Sequence, residues 1–547
     1  MKKTSSNSIY ILAGLLLILS KLWLVSAHQL MAWTAPHDDL LFIQQAHALL
    51  SGNWLGEYNQ LTLIKGPFYP IFIAFCYYLN ISLLTAQQLL YALASFVAVR
   101  AFSPLIKQKW LLLALFALVL LNPFSYNYPA VGRAFRLGIY PSLGLLVLSC
   151  ATGLVIRSWL HQTVEKLFFW SAGTGIFLAA FWNTREESVW LLPSFFLLLI
   201  PAVFSFRGVS RSGKMILAGL YILPVLMLLG TNFTLKKINQ QYYGVNATIE
   251  LETQEFKSAY GGLLRIRSDK WRRFFPVVKD ARKQAYKVSP TFQKVAPYLE
   301  GPLGQNWQKL CGCGDIPAAF FIWAFRDAVA AAGYYTDGKS ALKFYEKMGD
   351  EINQGCKTGR LDCRPRFSSL VPPWHKEYNK LLLPTWLSVL KRIVQFTDFS
   401  AHTDGMLSRG SSEAIFLYKV VTHDKLLTSK PDILKNYPEF RKHLNKEKTR
   451  ILNDIGAGYQ NMIPWLFLAA LIVFCFRTGR NIMQRKLAVA NIAAGAALTG
   501  ILSISFILTL LIITSYSEIE RAMHSAYPMV LLFLLAVFFD SMSIKRT

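Results

Sequence analysis

Two adjacent carboxylates, Asp38 and Asp39, follow His37 about ten residues past the end of an apolar run at residues 9–27. A carboxylate at the mouth of a bilayer is costly, so a pair kept there points to use. A carboxylate can serve as general base toward an acceptor hydroxyl or amine. Lys65, Arg133, Arg136, Arg185 and Arg521 supply the complementary chemistry, because lysine and arginine hold phosphate groups. Carboxylate bases beside phosphate-binding cations suit a displacement whose leaving group departs on phosphate. The pair with Lys65 favours this chemistry over a solvated turn, whereas Glu57 alone reads as an ordinary loop charge.

The elements that must position these groups are membrane helices. The chain of 547 residues is 53% apolar and 16% charged, with repeated apolar runs long enough to span a bilayer. Its 58 basic and 31 acidic residues give a net charge of +27. Many basic residues fall in short clusters between apolar runs, where they set topology, so nucleic acid is not the expected partner. The fold class is therefore an all-α polytopic membrane protein. The positive-inside rule gives about ten spans, near 9–27, 84–105, 109–126, 137–156, 167–183, 188–206, 215–233, 461–477, 487–513 and 522–541, with both termini inside. The first run reads as an uncleaved span, being long and without a clear cleavage site.

Residues 66–82 are apolar, but a crossing there would invert the later basic loops. They are expected as a helix in the outer interface, rich in aromatics such as Phe68, Tyr69 and Phe72. Residues 40–50 read as a second interfacial helix, with Leu40, Ile43, Ala46, His47 and Leu50 at helical spacing. Three regions are expected: an N-terminal membrane catalytic module (1–233), an extracytoplasmic, mainly helical domain (234–458), and C-terminal membrane helices (459–547). The middle region carries 36 basic and 22 acidic residues, net +14. Helical patterns recur in it at 327–333 and 340–354.

That domain also holds Cys311, Cys313, Cys356 and Cys363. An oxidising outer face favours disulfides over zinc, for which the spacing is unusual. Cys311 and Cys313 are close in sequence, so each is expected to pair with one of Cys356 and Cys363. Cys76, Cys150 and Cys475 lie in apolar segments and are expected to pack as small hydrophobes.

With 22 of the 31 acidic residues in the domain, nine remain elsewhere. Seven of these (Asp38, Asp39, Glu57, Glu186, Glu187, Glu518 and Glu520) fall in three short outer loops, joined by the five cations named above. Short loops cannot wander, so one shared mouth is expected. Such a site fits displacement at an anomeric carbon from a lipid-linked sugar phosphate.

The order of features is similar to that of a known family. A first span, an outer loop with an acidic pair, an interfacial helix and then Lys65-Gly66-Pro67-Phe68-Tyr69-Pro70 resemble the polytopic C-type glycosyltransferases that use polyprenyl-phosphate sugars. These include protein mannosyltransferases and the lipid A aminoarabinose transferase. Gly132-Arg133-Ala134-Phe135-Arg136 resembles the family's outer-loop arginine segment, and Glu520-Arg521 with Tyr527-Pro528 its late span start. Gly66 stands where the family has the first proline of its motif. The resemblance spans residues 1–206, and more weakly 487–541.

The resemblance implies Asp38 or Asp39 as catalytic carboxylate, with Asp38 preferred. It implies Lys65, Arg133, Arg136 and Arg521 as phosphate or sugar contacts. Tyr69 belongs to the same motif and is expected at the substrate; Arg185 and Glu186 join by convergence alone. It further implies a polyprenyl-phosphate sugar donor, a glycan, lipid or protein acceptor, and a bacterial inner-membrane location. A divalent metal is left open, since family members differ. The alternative class is a transporter or flippase for a lipid-linked or anionic substrate. That would favour charges near the midplane and repeated halves. No nucleotide-binding loop occurs.

Overall fold

The computed structural model describes residues 2–106, 108–365, 370–402, 407–427, 439–515 and 522–543. Among them the chain is helical, with only isolated β-bridges. The first half comprises α1 (Lys2–Val25), α2 (Asp39–Leu50), α3 (Phe68–Tyr78), α4 (Leu83–Phe102), α5 (Lys109–Leu120), α6 (Tyr128–Val131), α7 (Tyr140–Trp159), α8 (Val164–Trp182), α9 (Leu192–Phe204) and α10 (Arg211–Tyr243). The middle comprises α11 (Gln254–Arg265), α12 (Lys279–Val288), α13 (Pro290–Gln293), α14 (Ala296–Leu299), α15 (Pro302–Lys309), α16 (Ala318–Ala331) and α17 (Gly338–Lys357). The rest is α18 (Tyr378–Val394), α19 (Ser412–Thr422), α20 (Glu439–Met483), α21 (Val489–Thr514) and α22 (Tyr527–Ser543).

The chain is a multi-pass membrane protein. Among the described residues seven helices are long and apolar enough to cross a bilayer, and α5 with Pro123–Val131, bent by 53°, counts as an eighth if the pair is one broken span. Pro123 lacks the amide a continuous helix needs, which accounts for the break. The two remaining expected spans are shorter apolar helices, Ser188–Phe204 and Met523–Phe539. The second is enclosed by other helices from Met523 to Val537, so protein rather than lipid covers it. Every residue from Tyr140 to Ser158 of α7 is buried, with α4, α8, α9, α21 and α22 packed around it. Both segments expected at the interface are helical, as α2 and α3; at 11 residues α3 reaches only about 16 Å, too short to cross.

The middle domain has its own core, running from Phe256 to Leu361 and built on Phe256, Phe325, Tyr345 and Ile352. Its helices carry side-chain caps where the pattern asks for them: Thr253 accepts from Phe256 and Asp337 from Ser340. The expected divides near 233 and 458 fall inside α10 and α20. Residues beyond 378 return to the membrane helices: Val389, Ile393, Tyr418 and Val421 belong to the membrane core, and Trp386 donates to Ser505 at 2.9 Å.

The cysteine pairing differs from the expectation. Cys311 is joined to Cys313 and Cys356 to Cys363. Both bridges close local reversals that sequence spacing alone conceals. Gly312 and Gly314 (φ +63° and +73°) fold the first, and Gly359 (φ +74°) turns the chain after α17. The Cα atoms are thereby brought to 5.2 and 5.5 Å. Cys76 and Cys150 are buried as expected, but Cys475 is exposed on α20.

Candidate active site

Three backbone contacts set the position of the carboxylate pair. Met31 N–H donates to Gly132 O at 2.8 Å, Leu427 N–H to Leu30 O at 2.9 Å, and Arg409 N–H to Ala32 O at 2.9 Å. Residues 30–33 are thus clamped between the arginine loop and the segment at 408–427. Asp38 occupies the N-cap of α2, and Asp39 its first turn. A helix N-terminus favours negative charge, which suits both. Asp38 makes no side-chain cap; its carboxylate turns to Lys65 instead.

The expected charges meet in pairs. Lys65 Nζ bonds Asp38 and donates to His37 O at 2.5 Å. Arg133 grips Asp39 through two donors, Nε to Oδ1 at 2.9 Å and Nη2 to Oδ2 at 2.5 Å. Arg136 donates from Nη1 to Glu186 Oε1 and to Thr184 O, both at 2.8 Å. Arg185 donates to Glu187 Oε1 at 2.5 Å. The loops at 28–83 and 183–188 contribute, together with the Arg133–Arg136 segment, while most of the third expected loop, including its three charged residues, lies outside the described residues. The Lys65–Asp38 and Arg136–Glu186 pairs act on one another electrostatically.

Exposure separates the acids. Asp39 is fully buried, while the side chains of Asp38 and Glu186 are 40% and 36% exposed. The cations beneath them are enclosed: Lys65 is 5% and Arg136 6% exposed. Arg136 Nε, also buried, has no hydrogen-bond partner. The arrangement is two accessible carboxylates rimming a floor of sequestered positive charge.

Burial and pairing set the proton affinities. Burial pushes Asp39 up to about 6, with Arg133 opposing, so it is ionised at neutral pH. Burial also works against the charge on Asp38, but Lys65, Arg136 and Arg133 together hold it below the ordinary carboxylate range. Lys65 is brought down to about 8 by burial, with Asp38 opposing. Burial disfavours the Glu186 charge too, and Arg136 and Arg185 more than compensate.

Aromatic rings complete the walls. Lys65 Nζ lies 5.1 Å from the Phe42 ring and 5.2 Å from that of Trp323, and the Arg136 guanidinium lies 5.6 Å from Phe42. Trp307 and Trp323 each stand edge-on to His37 at 5.0 Å, and Asp327 comes within 3.4 Å of the His37 ring. The middle domain therefore touches the loop that carries Asp38.

Gly66 is fixed by a close approach. A Cβ there would lie 2.1 Å from Asn183 O, and Phe68 N–H donates to that same carbonyl at 3.2 Å. This join seats Lys65 beside the Arg136–Glu186 loop, so a residue without a Cβ is required here. Gly66→Ala is expected to cost about 1–3 kcal/mol by overpacking. Thermal unfolding would show a lowered midpoint; an unchanged midpoint would mean the join is loose.

Other expected members sit elsewhere. Tyr69 is fully buried and stacks edge-on against Phe42 at 5.1 Å, so it backs the wall and has no face on the opening. Glu57 is exposed and lines a separate cavity of about 900 Å³ beyond the C-terminal end of α2. Arg521, Glu518 and Glu520 lie outside the described residues. Among the described residues no three His, Cys, Asp or Glu side chains are grouped to hold a metal ion. The carboxylates of the cluster are engaged by lysine and arginine, a donor set suited to anions.

Fold and site define an all-α polytopic membrane protein with a paired-charge centre at the end of its first span. No protein-family model and no curated protein sequence matches the chain. Among solved structures it is similar to the crystal structure of ArnT from Cupriavidus metallidurans in the apo state, at 12% identity and a TM-score of 0.30, covering 100% of this chain and 78% of that one. The same protein bound to undecaprenyl phosphate gives 12% identity and a TM-score of 0.30, covering 99% of this chain and 78% of that one. A likeness of this degree decides neither family nor chemistry.

Proposed function

We propose that the protein is an integral membrane glycosyltransferase that moves a sugar from a polyprenyl-phosphate donor to an extracytoplasmic acceptor. The observation that carries this reading is the pairing of accessible carboxylates, Asp38 and Glu186, with the enclosed cations Lys65 and Arg136. In this reading the donor phosphate engages Lys65 and the spare Nε–H of Arg136. Drawing Lys65 onto the phosphate removes the partner that depresses Asp38, which becomes a better base. Asp38 then takes the acceptor proton as the acceptor oxygen or nitrogen bonds to the anomeric carbon. The bond from that carbon to the phosphate oxygen breaks, and its electron pair leaves on the phosphate, stabilised by the cations. Asp39 holds Arg133 in place and does not meet substrate. The two disulfides agree with a domain facing an oxidising compartment, outside a bacterial inner membrane.

Binding of a short-chain polyprenyl monophosphate, the released product, tests the phosphate site. Lys65→Ala and Arg136→Ala should each weaken it by about tenfold or more. Unchanged affinity in both would remove the phosphate assignment.

The pH profile of kcat/KM follows from the shifted proton affinities of Asp39 and Lys65. Asp39 is charged above its value and Lys65 below its own, so both pairs are intact only between about 6 and about 8. Activity should fall below that window as Asp39 releases Arg133, and above it as Lys65 loses its charge. A profile flat from pH 5 to pH 9 would contradict these roles.

A further inference from the structure

On the opposite end of the membrane helices, a cavity of about 840 Å³ opens between the C-terminal ends of α7, α9 and α20. Its polar lining is His161, Ser205, Arg207, Asn481, Arg485 and Lys486, of which His161, Arg207, Arg485 and Lys486 can carry positive charge. Its apolar lining is Trp159, Phe204, Ile482 and Leu487, and among the described residues no carboxylate lines it. None of Arg207, Arg485 and Lys486 makes an ion pair with a described residue. The four chargeable groups come from three separate connections, so the fold brings them together.

Two of them also occupy costly backbone positions. His161 and Arg485 both have left-handed φ, +48° and +50°. Each follows a helix end where the following amide bonds back to an earlier carbonyl: Gln162 N–H to Arg157 O at 3.0 Å, and Lys486 N–H to Asn481 O at 2.9 Å. Glycine is the usual residue at such a position because it bears no Cβ penalty. At both places the chain instead keeps a side chain that can carry positive charge, and both side chains line the same cavity. Helix-end dipoles alone would be served by cations at unstrained positions one turn earlier.

We infer that this cavity binds the head group of an anionic glycerophospholipid, at the face opposite the carboxylate centre. The cations meet the phosphate, Trp159 sits at the interface, and the exposed flank of Leu160, Val203 and Ile482 receives the acyl chains. The site is independent of the proposed sugar transfer.

The strained positions give a test that folding cannot imitate. Arg485→Gly and His161→Gly relieve the backbone while deleting the charge, so the lipid-free protein in detergent should keep or raise its unfolding midpoint. Phosphatidylglycerol added to full-length protein should raise the midpoint, and phosphatidylcholine should not. The His161→Gly/Arg485→Gly double variant and Arg207→Gln/Lys486→Gln should each need about tenfold more phosphatidylglycerol for the same shift. Native mass spectrometry should show the matching loss of bound lipid. An equal response to phosphatidylcholine, an undiminished response in both double variants, or equal protection by inorganic phosphate alone would overturn the lipid assignment.

Discussion

Asp38→Asn is expected to lower sugar transfer by about 10³-fold while leaving the unfolding midpoint nearly unchanged. The isosteric amide keeps the N-cap position of α2 and can still accept a hydrogen bond from Lys65. It cannot take a proton from the acceptor. The enclosed Lys65 ammonium keeps the amide oxygen and His37 O as acceptors, so loss of the carboxylate charge does not leave it without hydrogen-bond partners. The effect should appear in kcat, with donor affinity kept or improved as Lys65 is freed for phosphate. Glu186→Gln provides the contrast. It is the other accessible carboxylate but pairs with Arg136 alone, and a smaller loss is expected. Should the two variants exchange their effects, Glu186 would be the base.

Asp39→Ala should have the opposite signature. Its carboxylate is fully buried and accepts both donors of Arg133, so truncation leaves an enclosed guanidinium without its partner. Breaking a buried ion pair on one side costs about 3–5 kcal/mol. The protein is expected to unfold at markedly lower temperature, with activity failing as a consequence. The double variant Asp39→Leu/Arg133→Met should recover much of the stability, since replacing both partners by apolar groups removes the stranded charge. If Asp39→Ala melts like the wild type yet is inactive, Asp39 has a chemical role and the division of labour proposed for the pair is wrong.

The sequence carried the meeting of the charges but not their partners. Spans fixed by apolar runs leave only short outer loops, so Asp38, Lys65, Arg133, Arg136 and Glu186 had little freedom to lie apart. Successive residues on a helix point about 100° apart, so adjacent aspartates face different surroundings. Which of them is enclosed depends on where Arg133 is delivered, and that follows from the Met31–Gly132 contact, which no pattern announces. The helix at 40–50 was legible from its periodicity: Ile43 and Ala46 of the expected stripe are fully buried and Leu40 and Leu50 partly so, but Leu41, Phe42 and Gln45 are buried as well. It is packed by α3 and α19 together, so more than one face is covered. The packing of α18 and α19 into the membrane core was concealed by the charges spaced through them, and the two disulfides by glycine turns that act locally. The contact of Trp307, Trp323 and Asp327 with His37 joins residues roughly 270–290 positions apart, beyond the reach of any local signal.

The central claim is tested most directly by reconstituting the full chain in lipid vesicles with a polyprenyl phosphate carrying a radiolabelled sugar, adding a bacterial envelope extract as acceptor, and following the label. The account predicts that label leaves the polyprenyl phosphate and appears in acceptor with wild-type protein, and stays on the lipid with Asp38→Asn. Labelled lipid that crosses the bilayer chemically intact, or transfer undiminished in Asp38→Asn, would contradict it.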